Sequence, residues 1–268
     1  MEADRIFQGP VPALYDRHLG PMIFAPYASD LAARLKDLRR GRVLETAAGT
    51  GIVTRALLSA LPEDVSVEAT DINQPMLDHA SRQVSSPRVT WRQADAEALP
   101  FPDGVFDAVV CQFGAMFFPD KLRAFSEARR VLKPGGRFLF NVWDRIEANE
   151  FADLVVRAVA ALFPDDPPMF LARTPHGHYD VAVLDAQLRA AGFASVASET
   201  VTLRGSAPSA LSAAIGYCQG TPMRKEIEAH AADRLPEATE AAAAAIAARF
   251  GPGPVVGQIR AHVITAGR

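Results

Sequence analysis

The sequence of 268 residues predicts a doubly wound α/β fold, and three observations carry that prediction. From Arg42 onward, apolar runs alternate with amphipathic helical stretches in a fixed order. Several runs, among them FDAVVCQF and GRFLFNVW, are apolar nearly throughout, as a parallel sheet needs when helices cover both of its faces. A turn of small residues (Ala47 to Gly51) joins the first run to the first helix. Right-handed crossovers then wind the helices onto both sides of one sheet.

Residues Pro12 to Arg40 place Leu14, Leu19, Ile23, Leu31, Leu35 and Leu38 at helical spacing, broken at Pro21 and Pro26 into two helices. They are expected to form an N-terminal helical cover over residues 1–40. Strands are expected near Val43 to Thr46, Val67 to Asp71, Val89 to Asp95, Phe106 to Phe113 and Arg137 to Trp143. The helices between them fall near Ile52 to Leu61, Gln74 to Val84 and Asp120 to Leu132, and Pro134 to Gly136 reads as a turn into the fifth strand. Beyond Trp143 the pattern loosens. Asn149 to Leu162 reads as helix, FPDDPPMFLARTPHGHYD as a surface loop, Val181 to Ala191 as a helix closed by Gly192, and Ala194 to Leu203 as a strand. Pro208 to Phe250 is mostly helical, its alanine tract favouring a packed helix, and Val255 to Ala266 reads as a last strand.

Composition excludes several classes of protein. Hydrophobic residues make up 49% and charged residues 22%, the balance of a folded globular chain. With 28 Lys and Arg against 31 Asp and Glu, the net charge of -3 offers no excess of cations for a phosphate backbone, so nucleic acid is not expected as a partner. Cys111 and Cys218 provide neither a disulfide framework nor a zinc-ligand cluster, so no metal is expected. The opening MEADRIFQGP lacks an apolar core, and no run approaches the roughly 18 apolar residues of a membrane span. A cytoplasmic chain without stable membrane insertion is expected.

The richest segment is RVLETAAGTGIVTRALL, residues 42 to 58. A strand ends at Glu45 or Thr46, a turn almost bare of side chains follows, and a helix starts at Ile52. Such a turn lets a polar or anionic ligand meet main-chain amides, although a purely structural tight turn reads the same way. Ala47, Gly49 and Gly51 hold the glycine-type positions, with no third glycine as GxGxxG would require, which disfavours a dinucleotide. Asp71 lies about 20 residues on, where a carboxylate accepts from ribose hydroxyls; the other reading is a helix cap, a role that Asn73 also fits. Asp95 ends the third strand, either to accept from an adenine amino group or to order its loop.

The ordered series VLETAAGTG, ATDINQPML, ADAEALPFPDGVFDAVVCQFGAMFF and EARRVLKPGGRFLF resembles the class I S-adenosylmethionine-dependent methyltransferases, particularly the subgroup that includes the ubiquinone and menaquinone biosynthesis methyltransferases. The resemblance spans roughly residues 40 to 144 and rests on order and spacing rather than on one motif. It implies a Rossmann-like seven-stranded sheet with the last strand antiparallel, and a methyltransferase domain over 41–268. Residues 41–144 would be its cofactor-binding half, with 145–180 and 208–250 as cap insertions. It also implies S-adenosyl-L-methionine as cofactor, S-adenosyl-L-homocysteine as product and a small-molecule acceptor. Glu45 matches the acid that opens the family's first motif, and Ala47, Gly49, Thr50 and Gly51 match its turn around the methionine part. Asp71 matches the ribose carboxylate, Ile72 and Met76 the apolar groups on the adenine ring, Asp95 and Ala96 the adenine edge, and Gln112 a position near the transferable methyl. Tyr15 resembles a tyrosine that folds over the cofactor. The family has glycine where Ala47 stands, which would set the backbone there slightly farther from the ligand; alanine tolerates most non-left-handed conformations, and weaker binding at worst is expected.

Transfer from a sulfonium needs alignment rather than a dedicated nucleophile, and positioning supplies on the order of 7–11 kcal/mol of barrier reduction. The acceptor is expected at the carboxyl ends of the strands. Phe113, Phe117, Phe118 and Trp143 are candidates for its walls or for plain core packing. His176, His178 and Tyr179 are candidate general bases or solvated loop residues, and Tyr217 and Arg224 read a polar acceptor group or simply pack. Two other readings are a cofactor-holding module without catalysis and a nicotinamide-dependent oxidoreductase.

Overall fold

Seven strands form one sheet in the computed structural model, which describes residues 9–230 and 232–268. They are β1 (Gly41–Glu45), β2 (Val65–Asp71), β3 (Val89–Gln93), β4 (Phe106–Gln112), β5 (Leu132–Trp143), β6 (Ser195–Ala207) and β7 (Val255–Gly267). Their order is β3-β2-β1-β4-β5-β7-β6. β1 pairs in parallel with β2 and β4, β2 with β3, and β4 with β5, while β7 runs antiparallel. The order reverses between β1 and β4, the switch point at which open α/β sheets bind ligands. The opening MEADRIFQ, read above for a leader, lies outside the described residues.

The chain divides into two compact units. One gathers Tyr27–Val142, Tyr179–Val201 and Ala261–Arg268. Its core joins Leu31 and Leu35 to Val43, Val53, Leu57, Val67, Val110 and Leu139, all buried. Burying a side chain of this kind contributes about 1.5–3 kcal/mol. The helices α3 (Ile52–Ala60), α4 (Gln74–Gln83), α5 (Lys121–Val131) and α8 (Val181–Ala190) belong here. Asp120 caps α5 by accepting from the Arg123 amide, and Asp180 caps α8 by accepting from the Ala182 and Val183 amides. Each cap satisfies donors that the helix cannot bond itself.

The other unit gathers Met1–Pro26, Trp143–His178 and Thr202–Arg260. Its helices α6 (Glu150–Leu162) and α9 (Ala210–Gln219) pack on α11 (Leu235–Phe250). Both helices bury small residues, Ala213 and Ala214 on α9 and Ala238 and Ala242 on α11, so the alanine tract is packed helix.

Two expectations need correction. Pro21 does not break the N-terminal helix: α1 (Val11–Leu14) passes into a π-helical stretch, Tyr15–Phe24, and then into α2 (Ala25–Ala33). Proline lacks an amide and its ring presses on the preceding turn, and the wider π ladder accommodates both. Pro134 to Gly136 does not precede the fifth strand but lies within β5. The pairing jumps from Phe106↔Leu132 to Ala108↔Arg137, with Gly135 at φ +78°, so the expected turn survives as a bulge inside the strand.

Candidate functional site

β1 ends at Glu45, and the turn that follows is left-handed at three positions: Ala47 (φ +52°), Gly49 (φ +56°) and Gly51 (φ +78°). This corrects the expectation for Ala47. An alanine in that region costs about 1–2 kcal/mol relative to ordinary helical backbone, so the surroundings must enforce it. They do so with hydrogen bonds. The Thr46 amide donates to the Val110 carbonyl at 2.9 Å, the Ala48 amide to the Thr70 carbonyl at 2.9 Å, and the Gly49 amide to Asp71 Oδ2 at 2.8 Å.

A second left-handed residue, Phe113 (φ +50°), directly follows β4. Its amide donates to Asn141 Oδ1 at 2.9 Å and to the Asn141 carbonyl at 3.2 Å. Next to it, a Cβ added at Gly114 would sit 2.4 Å from the Cβ of Ala47 and 2.8 Å from Cys111 Sγ. The turns after β1 and β4 therefore touch across the switch point with no room for a side chain at 114. Two strained non-glycine residues on facing turns are typical of a ligand site.

Asp71, at the end of β2, is buried and faces the first turn. Besides the Gly49 amide on Oδ2, its Oδ1 accepts from the Asn73 amide at 2.8 Å and from Asn73 Nδ2 at 3.3 Å. Asn73 occupies the cap position of α4 but makes no side-chain cap bond, so the expected capping role is corrected: its amide steadies Asp71 instead. A carboxylate has about four lone-pair sites, and Oδ2 retains capacity toward a ligand hydroxyl. Burial raises the Asp71 pKa, against the lowering effect of these amides. Glu45 is also buried, its Oε2 accepting from Thr54 Oγ1 at 2.6 Å. Burial first, and the Asp71 charge second, push its pKa up to about 8.

The remaining predicted residues divide by environment. A Cβ built at Gly49 meets only Met76 Cε, at 4.0 Å, so the main chain there is bare; Met76 itself is buried. Gly51 is needed for packing, since a Cβ would press on Trp91 Cη2 at 3.0 Å and the Ala80 Cβ at 3.2 Å. Thr50 is buried and its carbonyl accepts from Arg55 Nη1. Ile72 is 39% exposed. Asp95 follows β3 rather than ending it; its Oδ1 accepts from the Glu97 amide at 2.9 Å, which orders the loop, and Ala96 beside it is half-buried. Gln112 is half-buried and pairs in register with Asn141.

Tyr15 belongs to the other unit, where a row of rings gathers three of the predicted residues. Tyr15 stacks on Phe24 (4.7 Å between centroids), Phe24 leans on Trp143 (6.1 Å), and Trp143 on His176 (5.9 Å). His176 is buried, which corrects its placement in a solvated loop. Its Nδ1 donates to the Asp144 carbonyl at 2.8 Å, leaving the lone pair on Nε2, and burial pushes its pKa down to about 4. His178 contacts the Thr174 carbonyl at 3.3 Å, and Tyr179 is exposed. Phe113 packs edge-on against Tyr27, while Phe117 and Phe118 are half-buried. Burial raises the Tyr217 pKa, and Arg224 pairs with Glu228 at 2.8 Å.

Sequence reasoning passed over Asn141, Gly114 and Phe24, and read Asn73 only as a helix cap. Gly114 carried a signal, a glycine directly after a strand, but the aromatic residues of FGAMFF drew the reading. Asn141 was marked only by being polar in an otherwise apolar strand. It is fully buried, and its Nδ2 has no partner among the described residues. An unpaired buried donor costs about 1–3 kcal/mol unless a ligand or water takes it. The bare Gly49, the spare capacity on Asp71 Oδ2 and this donor fit a polar ligand with ribose hydroxyls. Among the described residues no group of three or more His, Cys, Asp or Glu is placed to hold a metal ion, and no helix is long and apolar enough to cross a membrane.

A mainly parallel sheet with an antiparallel final strand, and a carboxylate beside a bare turn at its switch point, define a Rossmann-like methyltransferase. Residues 44–140 match the model of the family described as a methyltransferase domain. Over 173 residues the chain is 35% identical to the ubiquinone/menaquinone biosynthesis C-methyltransferase UbiE of Escherichia coli, covering 59% of this chain and 69% of that one. Among solved structures, the fold resembles the YcgJ protein of Bacillus subtilis (TM-score 0.57, 21% identity, 91% of this chain and 98% of that one). It also resembles phosphoethanolamine N-methyltransferase 2 of Haemonchus contortus in complex with S-adenosyl-L-methionine (TM-score 0.60, 17% identity, 96% and 56%). The chain belongs to the S-adenosylmethionine-dependent methyltransferases, and the nicotinamide reading is set aside.

Proposed function

We propose that this enzyme transfers the methyl group of S-adenosylmethionine directly to a small-molecule acceptor, without a covalent enzyme intermediate. The Asp71 carboxylate, locked to the Gly49 amide at 2.8 Å, is the observation that carries the reading. It sets a ribose acceptor and an unobstructed stretch of main chain side by side. The cofactor supplies an activated methyl on a positive sulfur; the residues of the chain bind, orient and exclude water. Asp71 Oδ2 takes a ribose hydroxyl, Ile72 and Met76 face the adenine, Asp95 and Ala96 its edge, and Thr50 and Gly51 complete the turn. Glu45, Ala47, Gly49 and Gln112 lie toward the methionine part.

The acceptor is read by the unit that carries the segments 145–180 and 208–250, where the Tyr15–Phe24–Trp143–His176 row offers flat apolar faces and one neutral imidazole nitrogen. The C-methyltransferase named above supports a small organic acceptor, and the net charge of -3 argues against nucleic acid. A cytoplasmic site of action accords with both. Calorimetry of S-adenosylmethionine binding to wild type and Asp71→Ala tests the site: a loss of about tenfold or more is expected, and equal affinity sinks the ribose assignment. A methyl-donor assay against phenols, quinols, amines and carboxylates identifies the acceptor class; turnover with none of them counts against a small-molecule acceptor.

A further inference from the structure

A cleft of about 290 Å³ opens at the amino-terminal ends of β4 and β5, lined by Leu35 to Arg40 without Lys36, by Asp107 and Ala108, and by Lys133 to Arg137. Asp71, Ala47 and Gly114 lie at the carboxyl ends of their strands, so the seven residues of β4 separate the two places by roughly 20 Å at about 3.3 Å per residue.

The charges in this cleft do not cancel. Four cations, Arg39, Arg40, Lys133 and Arg137, face two carboxylates, Asp37 and Asp107, a surplus of two positive charges (4 - 2). Both carboxylates are already engaged. Lys133 Nζ lies 2.9 and 2.8 Å from the two oxygens of Asp107, which also accepts from the Arg42 amide, and Arg137 pairs with Asp37. Among the described residues Arg39 and Arg40 make no ion pair or side-chain hydrogen bond; Arg39 acts on Asp37 only through space. The lip is open, since a Cβ added at Gly135 would meet nothing within 4 Å, and the floor is apolar, formed by Leu35, Leu38 and Ala108. Two adjacent guanidiniums at a concave, partly apolar site focus positive potential, on a chain whose net charge is negative. Their forked donors match the oxygens of a phosphoryl group.

We propose that this cleft is a second binding site, remote from methyl transfer, which takes the phosphoryl group of a small phosphorylated molecule through Arg39 and Arg40. Inorganic pyrophosphate titrated by calorimetry into wild type, Arg39→Ala/Arg40→Ala and Asp71→Ala is the test. Saturable binding that weakens with salt, falls about tenfold or more in the double variant and persists in Asp71→Ala is expected. No saturable binding, or equal affinity in the double variant, overturns the proposal. Loss in Asp71→Ala alone would place pyrophosphate in the cofactor site and overturn it as well. Because both arginines are exposed, Arg39→Gln/Arg40→Gln is a second variant that keeps the fold and must lose binding too. Sedimentation with phosphatidylglycerol vesicles but no response to pyrophosphate would assign the cleft to a lipid surface and refute the small-molecule reading.

Discussion

Asn141 Oδ1 accepts the amide of Phe113 at 2.9 Å, and this bond holds the end of β4 in a left-handed turn that a phenylalanine would not adopt unaided. The turn places Gly114 against Ala47 and so couples β5 to the loop that follows β1. Asn141→Leu removes the side-chain acceptor and is expected to cost about 1–3 kcal/mol, while Asn141→Asp keeps an acceptor oxygen and recovers part of the loss. Chemical denaturation of the three proteins measures this.

The contact at Gly114 yields a sharper test. Gly114→Ala forces its Cβ onto that of Ala47, so S-adenosylmethionine affinity is expected to fall about tenfold or more. Ala47→Gly removes the obstructing Cβ and the left-handed strain, and is expected to change stability by about 1 kcal/mol or less toward the folded state. The double variant Ala47→Gly/Gly114→Ala should bind better than Gly114→Ala alone. Additive losses in a double-mutant cycle would contradict direct contact.

Glu45 gives the molecule a pH signature. Its folded pKa of about 8 lies above the ordinary carboxylate value, so between those values the folded state holds more protons than the unfolded one. Stability from this group is complete below the unfolded pKa and is lost as pH rises through about 8. Glu45→Gln should flatten the fall in melting temperature as pH rises from about 4.5 to about 8; identical curves would contradict the buried protonated carboxyl.

The same group predicts a proton released on binding. A cationic ligand beside a protonated carboxyl favours its ionised form, so wild type at neutral pH should expel protons when S-adenosylmethionine binds. Calorimetry in buffers of different ionisation enthalpy reads this directly, and Glu45→Gln should reduce it.

His176 acts in the opposite direction. Its folded pKa of about 4 lies below that of free histidine, so the unfolded state binds the extra proton and stability falls as pH drops from about 6.5 toward 4. His176→Gln should remove this loss of stability between about pH 6.5 and 4, whereas Glu45→Gln changes the slope in the opposite sense up to about pH 8.

Much of this site was legible because its chemistry is local in sequence. The strand, turn and helix around Ala47 to Gly51 and the acid at 71 announce themselves by residue type and spacing, and the structure brings the Gly49 amide to Asp71. Features that depend on distant partners were hidden. Proline rules predicted a break at Pro21 because they assume an α ladder, and the chain instead widened into a π-helical stretch. Alanine at 47 looked harmless because nothing nearby in sequence shows that Asp71 and Gly114 bend its backbone. His176 sits among turn residues, and only Trp143 and Asp144, more than thirty positions earlier, account for its burial.

β7 comes last among the strands yet lies between β5 and β6. Until it is synthesised, a nascent chain carries two unsealed borders, β5 on one side and β6 on the other, each with main-chain groups ready to pair with a neighbouring polypeptide. Closure of this flank therefore waits until β7, made after both of its neighbours, has emerged. The interval before it is when the chain is most exposed to misassembly and has most to gain from a chaperone.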